Sequence, residues 1–395
     1  MFVSKHDHTS LICDIGCATV SASFVRFSQK TKPAILASVS LPLSINEVSL
    51  DANLEAKVMS LLEKAITLLV SQEIPKLGSA VIKEKNVDYA QVVLSSRWYI
   101  SKLANITISK DKSFKLDEST LHDTLNEQER IFEEEALSGV YQPLTGVDIH
   151  MIEREVLAVS LNGYDAPNPY DKLTRYAELS LYMSLVQQKF LKKVSEIVKK
   201  HFHIHEIQFH TSPLVFFRTI PLLFPHENEA LLVEVSGEST QVSFVVHNSI
   251  VESNNFSNGR NTTLRDIMNK LGVTQEIAIS SVRLSEVGTL DKDAETNLQN
   301  VLLNDATNWN KELTDILNKE KDHVIVPAVC FLVCDEDVSG IFQKRLKDVG
   351  ASFGISHIIP VTATLLNTHV TVGKFVVASD ASLLHALYLT SRDFH

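Results

Sequence analysis

Two segments of the chain repeat one pattern of strand, turn and strand. Residues 11–25 read LICDIGCATVSASFV and residues 231–245 read LLVEVSGESTQVSFV, so they align without a gap. Each begins with an apolar strand, continues with an acid and a turn of small residues, and ends in Ser-Phe-Val. A tight turn of Gly, Ser and Thr after a strand exposes backbone N–H groups and hydroxyls that can bind an anion. The repeat therefore predicts two similar lobes that face one ligand.

The length and composition indicate a soluble protein with more than one domain. A chain of 395 residues exceeds one compact core, and its 44% hydrophobic and 22% charged residues are typical of globular proteins. The net charge of -11 and the acidic run at 133–135 disfavour nucleic acid as a partner. No apolar window reaches the ~18 residues of a membrane helix, and the N-terminus is too polar for a signal peptide. We expect a cytoplasmic protein.

Helices follow strand pairs in both halves, which predicts an α/β fold. Apolar residues at helical spacing predict a helix over 54–70, and a strand follows at Tyr89–Leu94. In the second half, a short helix begins near Thr262 and stops at Gly272. A longer helix over 298–317 then leads to a strand at Val324–Val333.

A stretch of different character, residues 97–184, separates the two halves and predicts an inserted α+β subdomain. Arg97, Trp98 and Tyr99 open it, either as an exposed interface anchor or as a half-buried strand end. A charged helix through Leu121 and Phe132 lies inside it. The predicted strands are Leu103–Ser109, Val147–Glu153, Val156–Leu161 and Ala177–Leu185, and a helix from Val186 to Val198 follows.

The cysteines and histidines form clusters of the kind that bind metal ions, but their spacing disfavours a metal site. The four cysteines are Cys13, Cys17, Cys330 and Cys334, and we expect buried, reduced thiols. Three histidines alternate at His201, His203 and His205, as a zinc pair on a strand would. They also follow a basic helix end, where histidines are ordinary partners of the helix dipole. The second interpretation is favoured.

The strand with Asp14-Ile15-Gly16, and the later strand, acid, turn and strand before a Gly-containing loop and a capped helix, resemble the phosphate hairpins of the actin-like ATPase superfamily. The insert carries Val156-Leu-Ala-Val-Ser-Leu-Asn-Gly-Tyr164, an Asn-Pro and Lys172 before a strand. It resembles the branch of the cell-division protein FtsA and the type IV pilus assembly protein PilM. The resemblance covers essentially the whole chain.

The resemblance implies two ribonuclease-H-like lobes with a small α+β insert. Lobe 1 would span residues 1–96 and 185–228, the insert 97–184, lobe 2 229–370, and a C-terminal helix of lobe 1 371–395. It implies that Asp14 and Glu234 lie beside the Mg²⁺ of a bound ATP. The remaining nucleotide-binding residues that it implies are Gly16, Cys17, Thr19, Ser21, Gly237, Ser239, Thr240 and Gly259.

Several positions depart from the family pattern. Ser21 stands where this branch has a Lys, Ser236 replaces a glycine, and Glu238 brings a negative charge into the second turn. The segment His210-Thr-Ser-Pro213 lacks the acid or amide that would position an attacking water. Val333–Gly340 carries three acids where a Gly-Gly turn would hold the adenosine. Together these departures predict weak or no ATP binding and hydrolysis, as in a pseudo-ATPase.

Two hypotheses of function remain open. The first is a cytoplasmic scaffold of a type IV pilus or cell-division assembly, which binds protein partners and is recruited through the tail of an inner-membrane protein. The chain ends in an ordinary helix rather than a basic amphipathic one, so we expect no membrane anchor of its own. The second is an active Mg-ATPase. Self-association into actin-like filaments is a separate alternative, for which the sequence gives no signal.

Overall fold

The computed structural model describes residues 8–45, 54–77, 87, 89–138, 148–166, 168–170, 172–204, 206–374 and 376–393. Within them the chain forms three β-sheets and ten α-helices. The two larger sheets each contain one of the two repeated hairpins.

The first sheet has six strands in the order β15-β3-β2-β1-β4-β9. Its strands are β1 (His8–Ile15), β2 (Thr19–Ser28), β3 (Thr31–Pro42), β4 (Tyr89–Leu94), β9 (Glu206–Thr211) and β15 (Thr371–Val372). Strands β1 and β2 form the first hairpin, and β1, β4 and β9 run parallel.

The second sheet has five strands in the order β12-β11-β10-β13-β14. They are β10 (Ala230–Val235), β11 (Thr240–Val246), β12 (Ser249–Phe256), β13 (Val329–Cys334) and β14 (His357–Pro360). The second hairpin, β10 and β11, pairs in parallel with β13 just as the first hairpin pairs with β4. The two lobes therefore share one topology around their hairpins.

The third sheet belongs to the insert and has the order β5-β8-β6-β7. Its strands are β5 (Tyr99–Lys115), β6 (Ile149–Leu161), β7 (Tyr164–Asp165) and β8 (Leu173–Gln187). The long strands correct several predictions. The two runs at 147–153 and 156–161 form one strand, with bulges beside Met151 and Val156, and Val147 lies outside the described residues. Val186 lies near the end of strand β8 instead of starting a helix, and the helix begins at Gln188.

The helices cover the sheets and fill the space between them. They are α1 (Leu54–Leu68), α2 (Glu118–Leu137), α3 (Gln188–His201), α4 (Ser212–Leu223), α5 (Arg260–Leu271), α6 (Gln275–Glu286), α7 (Lys292–Glu320), α8 (Ser339–Gly350), α9 (Ala363–Leu366) and α10 (Asp380–Asp393). The predicted stop at Gly272 is confirmed, because this residue adopts the left-handed conformation that caps a helix. No helix of the described residues is long and apolar enough to cross a membrane.

Alternation along the strands sorts the apolar side chains into layers. On β1, Leu11 and Ile15 face α1 and α3, whereas Ile12 faces a core shared with lobe 2. The same alternation on β10 directs Leu232 into the shared core and Val233 towards α7 and α8. Helices α4 and α10 fill the shared core between the two sheets. The strand ends of both hairpins are thereby brought to one cleft between the lobes.

Candidate functional site: the lobe cleft

The two hairpin turns have the same hydrogen bonding. The N–H of Gly16 donates to the carbonyl of Thr19 at 3.0 Å, and the N–H of Ser236 donates to the carbonyl of Ser239 at 2.9 Å. Each turn follows a largely buried strand whose second-to-last residue is an acid, Asp14 in β1 and Glu234 in β10. Small residues fit here because the turns must reverse the chain within four residues.

A cavity of about 330 Å³ opens between these turns, and we call it the lobe cleft. Its walls come from the ends of β1, β10 and β13, from both turns and from the start of α10. Six of the residues that the family resemblance implies line it, namely Asp14, Gly16, Cys17, Thr19, Glu234 and Gly237.

Four other implied residues are not among those that line the cleft. The hydroxyl of Ser21 faces that of Ser382 at 3.4 Å on α10. Ser239 donates to the hydroxyl of Ser96 at 2.5 Å. Thr240 is fully buried and accepts a hydrogen bond from the indole N–H of Trp309 at 2.9 Å. These three hydroxyls are therefore engaged within the protein.

The fourth residue, Gly259, lies behind the second turn and lets helix α5 approach it closely. A Cβ atom on Gly259 would overlap the carbonyl oxygen of Ser236, so only glycine fits. The first N–H groups of α5 then donate to this turn, from Arg260 to Ser236 at 3.0 Å and from Asn261 to Gly237 at 2.8 Å. Free N–H groups at a helix N-terminus are a common anion site. In this chain, two of them bind the protein's own carbonyls.

The two turns also contact each other directly. A Cβ atom on Gly237 would lie 2.7 Å from the carbonyl carbon of Cys17 and 2.8 Å from the N atom of Ala18. The side-chain amide of Asn261 donates to the carbonyl of Cys17 at 3.1 Å. The backbones of the two turns are thus in van der Waals contact, and a hydrogen bond joins the lobes beside them.

Glu238 does not project its charge into the cleft. Its carboxylate forms an ion pair with Arg265 at 2.7 Å and accepts a hydrogen bond from Asn261 at 2.8 Å. The acid that the sequence places in the second turn therefore fastens that turn to helix α5.

Three of the acids that line the cleft, Asp14, Glu234 and Asp380, have raised pKa values. Burial raises the pKa of Asp14 to about 8, and the charges of Asp335 and Glu234 add to the shift. Burial likewise raises the pKa of Glu234 to about 7, although the neighbouring Ser212 hydroxyl opposes the shift. Burial also raises the pKa of Asp380 to about 6. Each carboxyl group is held nearer its neutral form because little in the cleft compensates a negative charge.

Asp380 and His385 also line the cleft, although the sequence did not indicate them as site residues. Both lie on α10, where Asp380 is the first residue and His385 is buried on the inner face. Burial lowers the pKa of His385 to about 3, so its ring stays neutral. An acid at the start of an apolar helix is usually a dipole partner, so no local signal pointed to the cleft.

The metal interpretations of the cysteines and histidines find no support in the described residues, where no group of three His, Cys, Asp or Glu side chains converges on one point. All four cysteines are buried and free. His205 lies outside the described residues. At the start of the insert, Trp98 stacks on Phe190 with 4.8 Å between ring centroids, and Tyr99 is buried. These aromatic residues form a half-buried strand end.

A second and larger cavity, about 1140 Å³, lies between lobe 1 and the insert, and we call it the edge groove. It is lined by residues 150–155 of β6, by 207–210 of β9 and by one face each of α3 and α4. Strand β9 is the last strand of its sheet. Strand β6 pairs with β7 only at Ser160 and Leu161. The groove therefore lies where two open sheet edges face each other.

Comparison with known proteins identifies the fold. No protein-family model matches the sequence, and no curated protein matches it significantly. The structure of the PilM–PilN type IV pilus biogenesis complex contains a chain that is 16% identical to this protein. The alignment covers 98% of both chains, and the TM-score is 0.60. The chain has the actin-like fold. The expectation of two ribonuclease-H-like lobes with an insert is thereby confirmed.

Two other solved structures are less similar to this actin-like chain. A Bacteroides thetaiotaomicron protein with an actin-like ATPase fold is 9% identical, with 91% and 93% of the two chains covered and a TM-score of 0.43. The ethanolamine utilization protein EutJ from Carboxydothermus hydrogenoformans is 9% identical, with coverage of 96% and 89% and a TM-score of 0.42. The identification of the fold rests on the PilM–PilN structure.

Proposed function

We propose that the chain is a scaffold of a type IV pilus or related membrane-associated assembly. It works in the cytoplasm at the inner membrane, where it binds the cytosolic tail of an inner-membrane protein. The contact between the two hairpin turns carries this proposal, because the lobes are joined where an ATPase would hold phosphates. The similarity to a chain of the PilM–PilN complex supports the choice of assembly and partner.

The edge groove is the proposed binding site for the partner's cytosolic tail. An extended peptide can add to an open sheet edge through its main chain, while pockets beside the edge accept its side chains. The groove offers open edges on β6 and β9, and apolar side chains such as Leu191, Phe209 and Leu222 line it. Glu153 fixes the two edges relative to each other, since it accepts hydrogen bonds from the N–H and the hydroxyl of Thr211 at 3.0 and 2.6 Å.

An active ATPase fits the lobe cleft less well. Mg²⁺ prefers carboxylate oxygens, and Asp14 and Glu234 do line the cleft, so they remain the proposed metal side of any nucleotide complex. The triphosphate, however, would meet five carboxyl groups and no Lys or Arg among the lining residues of the described chain. Phosphoryl transfer depends on cations that neutralise the developing charge. ATP would also have to separate turns that are in contact.

Nucleotide titration separates the scaffold from the ATPase. We expect that isothermal titration of the purified chain with ATP and Mg²⁺ detects no micromolar binding, and that no multiple-turnover hydrolysis occurs. Micromolar binding that the Asp14→Ala variant abolishes would instead support the ATPase and the implied site residues. Sedimentation with and without ATP tests for filaments in the same preparation.

A groove variant tests the proposed partner site. Ser195 lies on the face of α3 that lines the groove, so Ser195→Trp fills it without removing a core side chain. The matched control is Ser280→Trp, since Ser280 is exposed on helix α6 of lobe 2. We expect a synthetic peptide of the cytosolic tail of the PilN-like protein from the same genome to bind the chain and the control but not Ser195→Trp. Equal binding by both variants would exclude the groove.

The division of the chain belongs to the same proposal. Lobe 1 spans 1–96, 185–228 and the C-terminal 371–395, the insert 97–184 and lobe 2 229–370. The sheet pairings support this division, because each sheet draws its strands from one of these units, except that β8 of the insert sheet continues to Gln187, three residues past the proposed boundary. Limited proteolysis tests it, with first cleavages expected near the proposed boundaries.

A further inference from the structure

The lobe cleft has an acidic lining in which the described residues include no lysine or arginine. Its carboxyl groups come from Asp14, Glu234, Asp335, Glu336 and Asp380, whereas none of its lining residues in the described chain is a lysine or arginine. Arg260, which is not among the lining residues, forms ion pairs with Asp337 at 2.5 Å and with Asp335 at 3.1 Å, so it compensates the charge of Asp335. Once ionised, these carboxyl groups therefore stabilise a bound cation and repel an anion.

Polar groups in the cleft also lack hydrogen-bond partners. Asp14 is only 6% exposed, and its carboxyl group forms no hydrogen bond with a described residue. His385 is 2% exposed, and its Nδ1 atom has no partner among the described residues; the same holds for Oε2 of Glu234. Buried polar atoms in folded proteins nearly always have a partner. Acceptors on three separate elements therefore face the cavity without one.

The acceptors are spread over three elements, which disfavours a single metal ion as the bound cation. A single metal ion needs several ligand atoms around one point, and no such group of three side chains exists in the described residues. The acceptors come instead from β1, from β10 and from α10, on different walls of a cavity of about 330 Å³. The lining also includes apolar side chains, among them Phe216, Val333 and Leu384. A suitable ligand has two or more cationic groups joined by an apolar chain.

We infer that the lobe cleft binds a linear aliphatic polyamine, with its ammonium groups on the carboxylates of Asp14 and Asp380 and its methylene groups on the apolar walls. An ammonium group donates up to three hydrogen bonds, and a neutral His385 can accept one. Ammonium–carboxylate hydrogen bonds are stronger than neutral ones, so binding favours the ionised acids. Asp14 and Asp380 do not line the edge groove, and the inference does not depend on the proposed partner.

Calorimetric titration of the full chain with spermidine tests the inference, with Mg²⁺ alone and ATP alone as comparison ligands. We expect saturable binding of spermidine at one site and a rise in Tm, with neither effect from the comparison ligands. Asp14→Asn and Asp380→Asn should each weaken spermidine binding about tenfold or more, since each removes a charge-assisted hydrogen bond. The second variant keeps the test decisive if the first one fails to fold.

A charge-matched control separates the cleft from general attraction to an acidic protein. Glu134→Gln on α2 removes one negative charge at an exposed position and should leave the spermidine affinity unchanged. Three results would overturn the inference. They are the absence of saturable binding, an equal loss of affinity in Glu134→Gln, and saturable Mg²⁺ binding that Asp14→Asn abolishes, which would indicate a metal site.

Discussion

Replacing Asp14 by Asn should stabilise the protein when the cleft is empty. At neutral pH the carboxyl group of Asp14 is ionised in the unfolded chain, where its pKa is near 3.8, but is held protonated in the folded chain, where burial raises the pKa to about 8. Folding at pH 7 must therefore supply a proton to this group. Asparagine has a similar shape and needs no proton, so the variant avoids this penalty.

The magnitude follows from the size of the shift. The ordinary pKa of Asp14 lies about 3 units below pH 7, and each unit corresponds to about 1.4 kcal/mol. The free-energy penalty of protonating Asp14 on folding is therefore about 4 kcal/mol at most. Water that enters the cleft would reduce it, and we expect a gain of about 2–4 kcal/mol in the free energy of unfolding. The sign follows from proton binding. Because the folded state keeps its proton to higher pH, the wild-type loses stability as the pH rises from about 4 to 8, and the variant lacks this contribution.

Urea unfolding at several pH values between 5 and 8 measures the effect. The difference between Asp14→Asn and wild-type should be small near pH 5 and should grow towards pH 8. The control is Asp111→Asn, because Asp111 is exposed and its replacement removes the same charge. A destabilised Asp14→Asn protein, or a difference that does not change with pH, would refute the account of a buried and uncompensated carboxyl group.

Two further substitutions test the contacts that hold lobe 2 in place. Asn261→Ala removes the hydrogen bonds to the carbonyl of Cys17 and to Glu238, and we expect a loss of about 1–3 kcal/mol in the free energy of unfolding, measured by urea titration. An unchanged value would show that the turns need no such link. Arg345→Met leaves Asp305 buried without its ion-pair partner and should cost about 3–5 kcal/mol, most of which the double variant Arg345→Met with Asp305→Leu should recover. Equal stability of the single and double variants would contradict this explanation.

The sequence predicted the fold wherever the chain's local pattern determines the structure. The repeated hairpins pair in corresponding registers, with Ile15 opposite Val20 and Val235 opposite Thr240. Their alternating apolar residues and small-residue turns were sufficient signals. The same alternation of residues predicted one strand that is longer than the observed one. The apolar run from Val324 was predicted to be strand throughout, but β13 begins only at Val329, after Pro327, which has no N–H group for the sheet.

The state of the cleft could not be predicted in the same way, because it depends on contacts between distant segments. The direct approach of Gly237 to Cys17 requires a particular closure of the lobes that neither turn encodes alone. The engagement of Glu238 by Arg265 is similar, because the sequence shows the acid but not its partner on the adjacent helix. Asp380 joins the cleft only because α10 lies between the two sheets. Sequence patterns give local structure, whereas the chemistry of a site between lobes depends on their packing.

The edge groove and the lobe cleft meet at two consecutive residues, which predicts that their ligands influence each other. Thr211, at the end of β9, binds Glu153 of the groove through its N–H and hydroxyl groups. Ser212, the next residue, begins α4 and lines the cleft beside Glu234. A tail that shifts β9 must therefore move a wall of the cleft. If both proposed ligands bind, a saturating tail peptide should change the Kd of spermidine, and spermidine should change the Kd of the peptide by the same factor. Calorimetric titrations in both orders measure the two factors. Factors of one would show that the Thr211–Ser212 junction transmits no change and that the sites act independently.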